Sequence, residues 1–235
     1  MGLMNLQKKF IIFMGPVGSG KDTQADILAL KLGFAIFKST KALENKFNNT
    51  KPEDPDYKDM LREKKMWAEG ILLTPSWVGG VVNEAIEKLI TSGVKGIIFS
   101  GSPRTLPEAE IEIPKMESFY GKEAILVFKL HISEEETIKR NSKRLFCEFS
   151  HPINPEIAKT NPTICPDDGG KIIRRALDDP KVAGTRLKEY ETRTVPAIKY
   201  IQEKGINMID IPGENTIEII AKDIWDNLQK YTTND

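Results

Sequence analysis

Gly15-Pro16-Val17-Gly18-Ser19-Gly20-Lys21 is the stretch that decides the fold of this chain. The apolar run Lys9–Met14 precedes it and is typical of a buried strand, and apolar residues recur at helical spacing over Lys21–Leu32. The stretch matches G-x-x-x-x-G-K, whose glycines let backbone N–H groups curl towards a phosphate while the helix dipole and the lysine add positive potential. We therefore predict a strand, a phosphate-binding loop and a helix.

Four further apolar runs predict the rest of a sheet. Stretches with helical spacing separate them, and this alternation of strands and helices is typical of a parallel α/β sheet. The runs lie at residues 34–37, 96–99, 124–130 and 206–211. Two polar segments, 45–70 and 145–171, interrupt this order, and we expect them to leave the core as insertions.

The composition argues against several classes of protein. Among 235 residues, 34 Lys and Arg balance 34 Asp and Glu, so no overall field favours nucleic acid or an anionic membrane. The apolar run at 10–14 is too short for a signal-peptide core or a membrane span, and the two cysteines, Cys147 and Cys165, are too few for a disulfide framework. We expect a cytoplasmic protein without nucleic-acid or membrane partners.

Two motifs resemble those of the adenylate kinase family. Gly20-Lys21-Asp22-Thr23-Gln24 completes the loop, and Gly101-Ser102-Pro103-Arg104-Thr105 is similar to the family's Gly-Phe-Pro-Arg-Thr. The resemblance extends over nearly the whole chain and implies a P-loop NTPase-type three-layer fold in one domain, 1–235. It implies a core (1–38, 70–144 and 173–235), a monophosphate-binding flap (39–69) and a lid (145–172). The expected activity is reversible phosphoryl transfer from Mg²⁺-bound ATP to AMP, giving two ADP, by a monomer.

The resemblance also implies the residues of the site. Those expected to bind ATP are Gly15, Gly18, Ser19, Gly20, Lys21, Asp22, Thr23 and Arg140. Those expected to bind the acceptor monophosphate are Thr40, Leu72, Gly101, Arg104 and Glu108. Those expected around the transferring phosphate are Lys21, Arg104, Arg144, Arg175 and Arg186. Cations suit this last role because the transition state spreads negative charge over the phosphoryl oxygens, which guanidinium groups bind bidentately.

The magnesium side of the site departs from the family pattern. Ser100 stands where the family has an aspartate that orders Mg²⁺-bound water, and Asp22 stands where its members usually have glycine. We hypothesise that Asp22 restores the lost carboxylate beside the metal. Alternatively, Asp22 is only an acidic residue in the first helical turn, stabilised by the helix dipole.

The acceptor side departs further. The family's second phosphate-binding arginine is missing, and Lys41, Lys46 and Arg62 are candidates to replace it. Glu108 stands where the family commonly has a glutamine that reads the AMP base. A carboxylate only accepts hydrogen bonds and would suit guanine, so GMP is an alternative to the favoured AMP, with pyrimidine monophosphates third.

Two further alternatives stay open. Glu108 is also typical of the start of a helix, because it follows Pro107. The departures on both sides of the site leave a second kind of function open, that of a nucleotide-binding module without catalysis.

The lid carries a possible structural zinc site. Cys147 and Cys165 with Asp168 resemble the two zinc knuckles of the family, and His151 or Ser150 would supply the fourth ligand. A lid held by hydrogen bonds without metal is the alternative.

Overall fold

A computed structural model describes residues 9–148, 152–153, 163–166, 168–174 and 179–233. Three residues expected in the site, Ser150, His151 and Arg175, lie outside these ranges. Within them the strands are β1 (Lys9–Met14), β2 (Ala35–Lys38), β3 (Gly96–Ser100), β4 (Ile125–His131), β5 (Leu145–Cys147), β6 (Pro152–Ile153), β7 (Ile172–Ile173) and β8 (Asn207–Pro212).

Helices connect the strands. They are α1 (Lys21–Leu32), α2 (Ser39–Asn49), α3 (Tyr57–Ala68), α4 (Pro75–Thr91), α5 (Leu106–Tyr120), α6 (Glu134–Lys143), α7 (Pro180–Glu189), α8 (Val195–Glu203) and α9 (Ile217–Thr233). A π-helical turn, Tyr190–Thr194, joins α7 to α8. Among the described residues, no helix combines the length and the apolar character needed to cross a bilayer.

Five strands form the central sheet, in the order β2-β3-β1-β4-β8, and every pair in it is parallel. Alternate residues of β1 enter two separate apolar clusters, Phe10 and Ile12 on one face and Ile11 and Phe13 on the other. Both faces are therefore covered by helices, as near-continuous apolar strands require. The predicted α/β fold with three layers and a five-stranded parallel sheet is confirmed.

A second, smaller sheet lies within the interruption at 145–171 and just beyond it. Strand β5 pairs antiparallel with β6 and with β7. Cys147, Ile153 and Cys165 form its buried cluster, separate from the clusters of the central sheet. The other interruption is largely helical and comprises the end of α2 and all of α3. The boundaries of a flap and a lid stay predictions.

A fully buried carboxylate ties helix α3 to the start of α4. Both oxygens of Glu63 accept hydrogen bonds from Thr74, at 2.8 Å from its backbone N–H and 2.6 Å from its hydroxyl, and Arg62 donates at 2.9 Å. Burial opposes the charge on Glu63, but these hydrogen bonds outweigh it and lower its pKa. Glu63 therefore joins the segment at 39–69 to the core.

Replacing Glu63 tests this junction. We expect Glu63→Gln to lower the free energy of unfolding by about 1–3 kcal/mol, because an amide nitrogen cannot accept from Thr74 and leaves a donor unpaired. A carboxylate with a lowered folded-state pKa stabilises above its unfolded pKa and loses that effect as pH falls through the folded value. The difference from wild type, measured by urea unfolding, should therefore be largest near neutral pH and shrink in acid.

Glu84→Gln is the matched control. Glu84 is exposed and pairs with Lys88 at 2.6 Å on the surface of α4. Its loss should change the free energy of unfolding by less than about 0.5 kcal/mol. Equal effects of the two substitutions would contradict the role given to Glu63.

Candidate active site

A cleft of about 660 Å³ opens at the carboxyl ends of the central strands. This edge is where open parallel sheets bind ligands. The phosphate loop, the loop after β3, helix α2 and helix α7 all contribute to its lining. Residues expected in the site that line it are Gly15, Lys21, Asp22, Thr40, Leu72, Gly101, Arg104, Arg144 and Arg186.

The phosphate loop depends on glycine at two close approaches. A Cβ atom on Gly18 would lie 2.9 Å from the side-chain nitrogen Nδ2 of Asn141, and one on Gly15 would lie 2.8 Å from the backbone carbonyl oxygen of Leu130. Gly18 also has a φ of 81°, in the left-handed region that favours glycine. The loop is thus packed against β4 and α6 and enters α1 at Gly20, with Ser19 fully buried and Thr23 in the first turn.

Lys21 lies among other cations. Removal from water, together with the charges of Arg104, Arg186 and Arg144, lowers the pKa of Lys21 to about 8, and the charge of Asp22 opposes this shift. Arg144 and Arg186 both line the cleft, and the Arg144 guanidinium lies 4.6 Å from the centre of the Phe146 ring. The structure therefore brings together four of the five cations expected around the transferring phosphate, and the fifth, Arg175, lies outside the described residues.

Asp22 and Ser100 are in direct contact. The Ser100 hydroxyl donates to a carboxylate oxygen of Asp22 at 2.5 Å. Burial opposes the charge on Asp22, but Lys21 and the Ser100 hydrogen bond hold its pKa well below its usual range. An ionised carboxylate lining a phosphate cleft offers the hard oxygen ligand that Mg²⁺ prefers, so these residues fit the metal that the resemblance implies.

Arg104 is held at the opposite wall by the start of α2. Its guanidinium donates to the Ser39 hydroxyl at 2.9 Å and lies 3.5 Å from that of Thr40, while Ser39 donates to the Gly101 carbonyl at 2.6 Å. A side chain on Gly101 would begin 2.7 Å from the Arg104 guanidinium. Thr194 of the π-helical turn donates to the Arg104 carbonyl at 2.7 Å. The arginine is therefore fixed from both its backbone and its side chain.

Glu108 lies outside the lining of the cleft. It is 2% exposed, and its oxygens accept hydrogen bonds from the Arg104 backbone N–H at 2.7 Å and the Thr105 hydroxyl at 3.0 Å. The Thr105 hydroxyl in turn accepts from the Glu108 backbone N–H at 3.3 Å and so caps the start of α5, while Glu108 reaches back to the N–H of the residue before the cap. Burial raises the pKa of this carboxyl. In this position Glu108 caps α5, as in the second of the two interpretations of its sequence.

Leu72 lines the cleft, but its backbone polar groups are engaged. Its N–H donates to Glu189 at 2.9 Å and its carbonyl accepts from Arg193 at 2.8 Å, and these two side chains also pair at 3.1 Å. No motif in the sequence indicated that Glu189, Arg193 and Thr194 contact the site. The i,i+4 spacing of Glu189 and Arg193 in the sequence indicates only that the two side chains can pair on one face of a helix.

Three cations were candidates to replace the missing acceptor arginine. Lys46 pairs with Asp56, and Arg62 pairs with Asp59 and Glu63. Neither lines the cleft, whereas Lys41 is exposed and does. Of the three, only Lys41 is placed to meet a ligand.

Arg140 lies against the phosphate loop. It donates to Glu136 at 2.8 Å and to the Gly18 carbonyl at 3.4 Å. It is thus beside the expected ATP-binding loop, although it is not part of the cleft lining.

The small sheet gathers three candidate zinc ligands. The sulfur atoms of Cys147 and Cys165 and a carboxylate oxygen of Asp168 lie within 4.8 Å of one another, and both thiols are buried. The Cys147 thiol donates to Asp168 at 3.2 Å. These residues could supply three ligands of a tetrahedral zinc site, and the expected fourth, His151 or Ser150, lies outside the described residues. Zinc binding stays a prediction.

Comparison with known proteins identifies the family. No protein-family model matches the chain. The chain is 30% identical over 215 residues to the adenylate kinase of Chlamydia pneumoniae, covering 91% of this chain and 94% of the relative. It is 30% identical over 220 residues to that of Chlamydia abortus (93% and 97%) and 28% identical over 233 residues to that of Kosmotoga olearia (93% and 98%). The chain therefore belongs to the adenylate kinase family of phosphotransferases.

Proposed function

We propose that the chain transfers the terminal phosphoryl group of Mg²⁺-bound ATP reversibly to AMP, giving two ADP. The observation that carries this proposal is the single cleft in which Lys21 is surrounded by Arg104, Arg144 and Arg186. Four cations around one space suit the triphosphate of ATP meeting the single phosphate of the acceptor. The names of the relatives support the same reaction.

The chemistry follows from charge. In phosphoryl transfer most of the catalysis is positioning and electrostatic stabilisation, because charge spreads over the oxygens of the transferred group. Lys21 and the phosphate loop would hold the ATP phosphates, while Arg104 would hold the phosphate of the acceptor. Arg144 and Arg186 would neutralise the oxygens in between. The acceptor oxygen is already anionic, so the reaction needs no general base.

Magnesium would be held with ATP at Asp22. The ion, when bound, would supply positive charge that offsets the negative charge of the ATP phosphates. Asp22 contributes an ionised carboxylate, and Ser100 orients it through the hydrogen bond between them. This arrangement supports the hypothesis that Asp22 compensates for serine at position 100.

AMP is the favoured acceptor. The case for GMP depended on Glu108 reading the base, and this side chain is engaged in capping α5. Closure of the segments 39–69 and 145–172 over the nucleotides would exclude water from the transfer. A monomeric state and a cytoplasmic location are part of the same proposal.

Acceptor assays test the proposed reaction. With Mg²⁺-bound ATP and AMP, GMP, CMP or UMP side by side, we expect the fastest formation of diphosphate with AMP. Lys21→Ala should lower kcat by about a hundredfold or more, because it removes a cation aimed at the transferring phosphate. ATP binding without turnover of any acceptor would instead indicate a nucleotide-binding module.

Magnesium dependence tests the role of Asp22. We expect Asp22→Gly to raise the Mg²⁺ concentration needed for half-maximal rate by about tenfold, since one hard oxygen ligand is lost. Asp26→Asn is the control, because Asp26 also lines the cleft but pairs with Lys38 at 2.6 Å. An unchanged Mg²⁺ requirement in Asp22→Gly would leave Asp22 as an acidic residue of the first helical turn only.

A further inference from the structure

A tryptophan forms part of the cleft wall and has no role in the function proposed so far. Trp67 lies near the end of α3, is half-buried and lines the cleft together with Gly70, Ile71 and Leu72. The same cleft contains Arg104, which would hold the acceptor phosphate. An indole in this wall is therefore available to the base of the same nucleotide.

The Trp67 ring packs on one aromatic ring, which is itself backed by another. Phe47, 6% exposed, packs edge-on against it with ring centres 5.9 Å apart and an interplanar angle of 68°. Phe47 in turn stacks on Trp77, with ring centres 5.7 Å apart and an angle of 13°. Such support fixes the indole before a ligand arrives, so little conformational entropy remains to be lost on binding.

The lining residues of this wall, Trp67, Gly70, Ile71 and Leu72, carry no charged or amide side chain. The Leu72 N–H and carbonyl bond to Glu189 and Arg193, and the Glu108 carboxylate bonds to the start of α5. The wall between Trp67 and Leu72 therefore offers a ligand mainly aromatic and apolar surface. Such a surface suits the face of a nucleobase.

We propose that Trp67 is the stacking platform for the acceptor base and that it makes the site select purine over pyrimidine monophosphates. Stacking on an aromatic side chain uses the π-face that every base has, and a two-ring purine covers more of an indole than a one-ring pyrimidine does. This inference rests on the proposed function, since it assigns the base subsite of the same acceptor.

Kinetics of Trp67 variants test the platform. We expect Trp67→Leu to raise KM for AMP about tenfold or more, because one base–aromatic stack is lost. KM for ATP should stay within about twofold of the wild-type value. Trp67→Phe should retain most of the affinity for AMP. The preference for AMP and GMP over CMP and UMP should shrink in Trp67→Leu. An unchanged KM for AMP, or an equal rise for every acceptor and for ATP, would overturn the proposal.

Fluorescence separates this inference from the proposed reaction. The chain has three tryptophans, and Trp225 is not part of the cleft lining but lies on α9, where Lys31 covers its ring. AMP should quench the tryptophan emission of the wild type and of Trp225→Phe. It should leave the emission of Trp67→Phe nearly unchanged. Calorimetry measures AMP binding by each protein. If no acceptor turns over, the proposed reaction fails, yet quenching assigned to Trp67 still supports the platform. Absence of AMP binding, or binding without quenching, overturns it.

Discussion

The burial of positive charge around Lys21 is the constraint on which the rest of the site depends. Burial lowers the pKa of this lysine, Arg104, Arg186 and Arg144 lower it as well, and Asp22 opposes them. Cations held together away from water repel one another and raise the free energy of the empty site. Phosphate groups would remove this repulsion. The cleft therefore favours the binding of anions. We expect its cations to stabilise most strongly the negative charge that develops during phosphoryl transfer.

The fold makes this concentration of charge possible because its strands end at one edge. Lys21 follows β1 through the phosphate loop, Ser100 ends β3, and Arg144 follows the helix after β4. In a parallel sheet all these carboxyl ends meet, so residues far apart in the chain become neighbours. The π-helical turn then fixes the acceptor wall from the other side, through Thr194 on Arg104 and Arg193 on Leu72.

Patterns within short stretches of sequence predicted those parts of the structure that depend only on neighbouring residues. The strand, loop and helix around Lys21 follow from glycine spacing and apolar periodicity, and α1 begins and ends where that periodicity does. Glu108 was ambiguous because the same residue type at a helix start suits a cap or a ligand. Only its two contacts, with Arg104 and Thr105, distinguish these.

Contacts across the chain could not be predicted in this way. Glu189 and Arg193 meet Leu72 across 117 and 121 residues, and the aromatic contacts of Trp67 depend on the packing of α2 against α3 and α4. Likewise, the Ser100 hydroxyl reaches Asp22 only because β3 lies beside β1 in the sheet. Such pairings follow from the tertiary fold and leave no periodic signal in the sequence.

The central claim is that one cleft holds the phosphates of donor and acceptor together. Calorimetric titration with two adenosines joined by five phosphates tests it most directly, because this compound occupies both sites only if they share one phosphate cradle. We predict one molecule per chain and an affinity about a hundredfold or more above that of ATP, as expected when two binding groups are linked. Two molecules per chain, or an affinity no greater than that of ATP, would contradict the account.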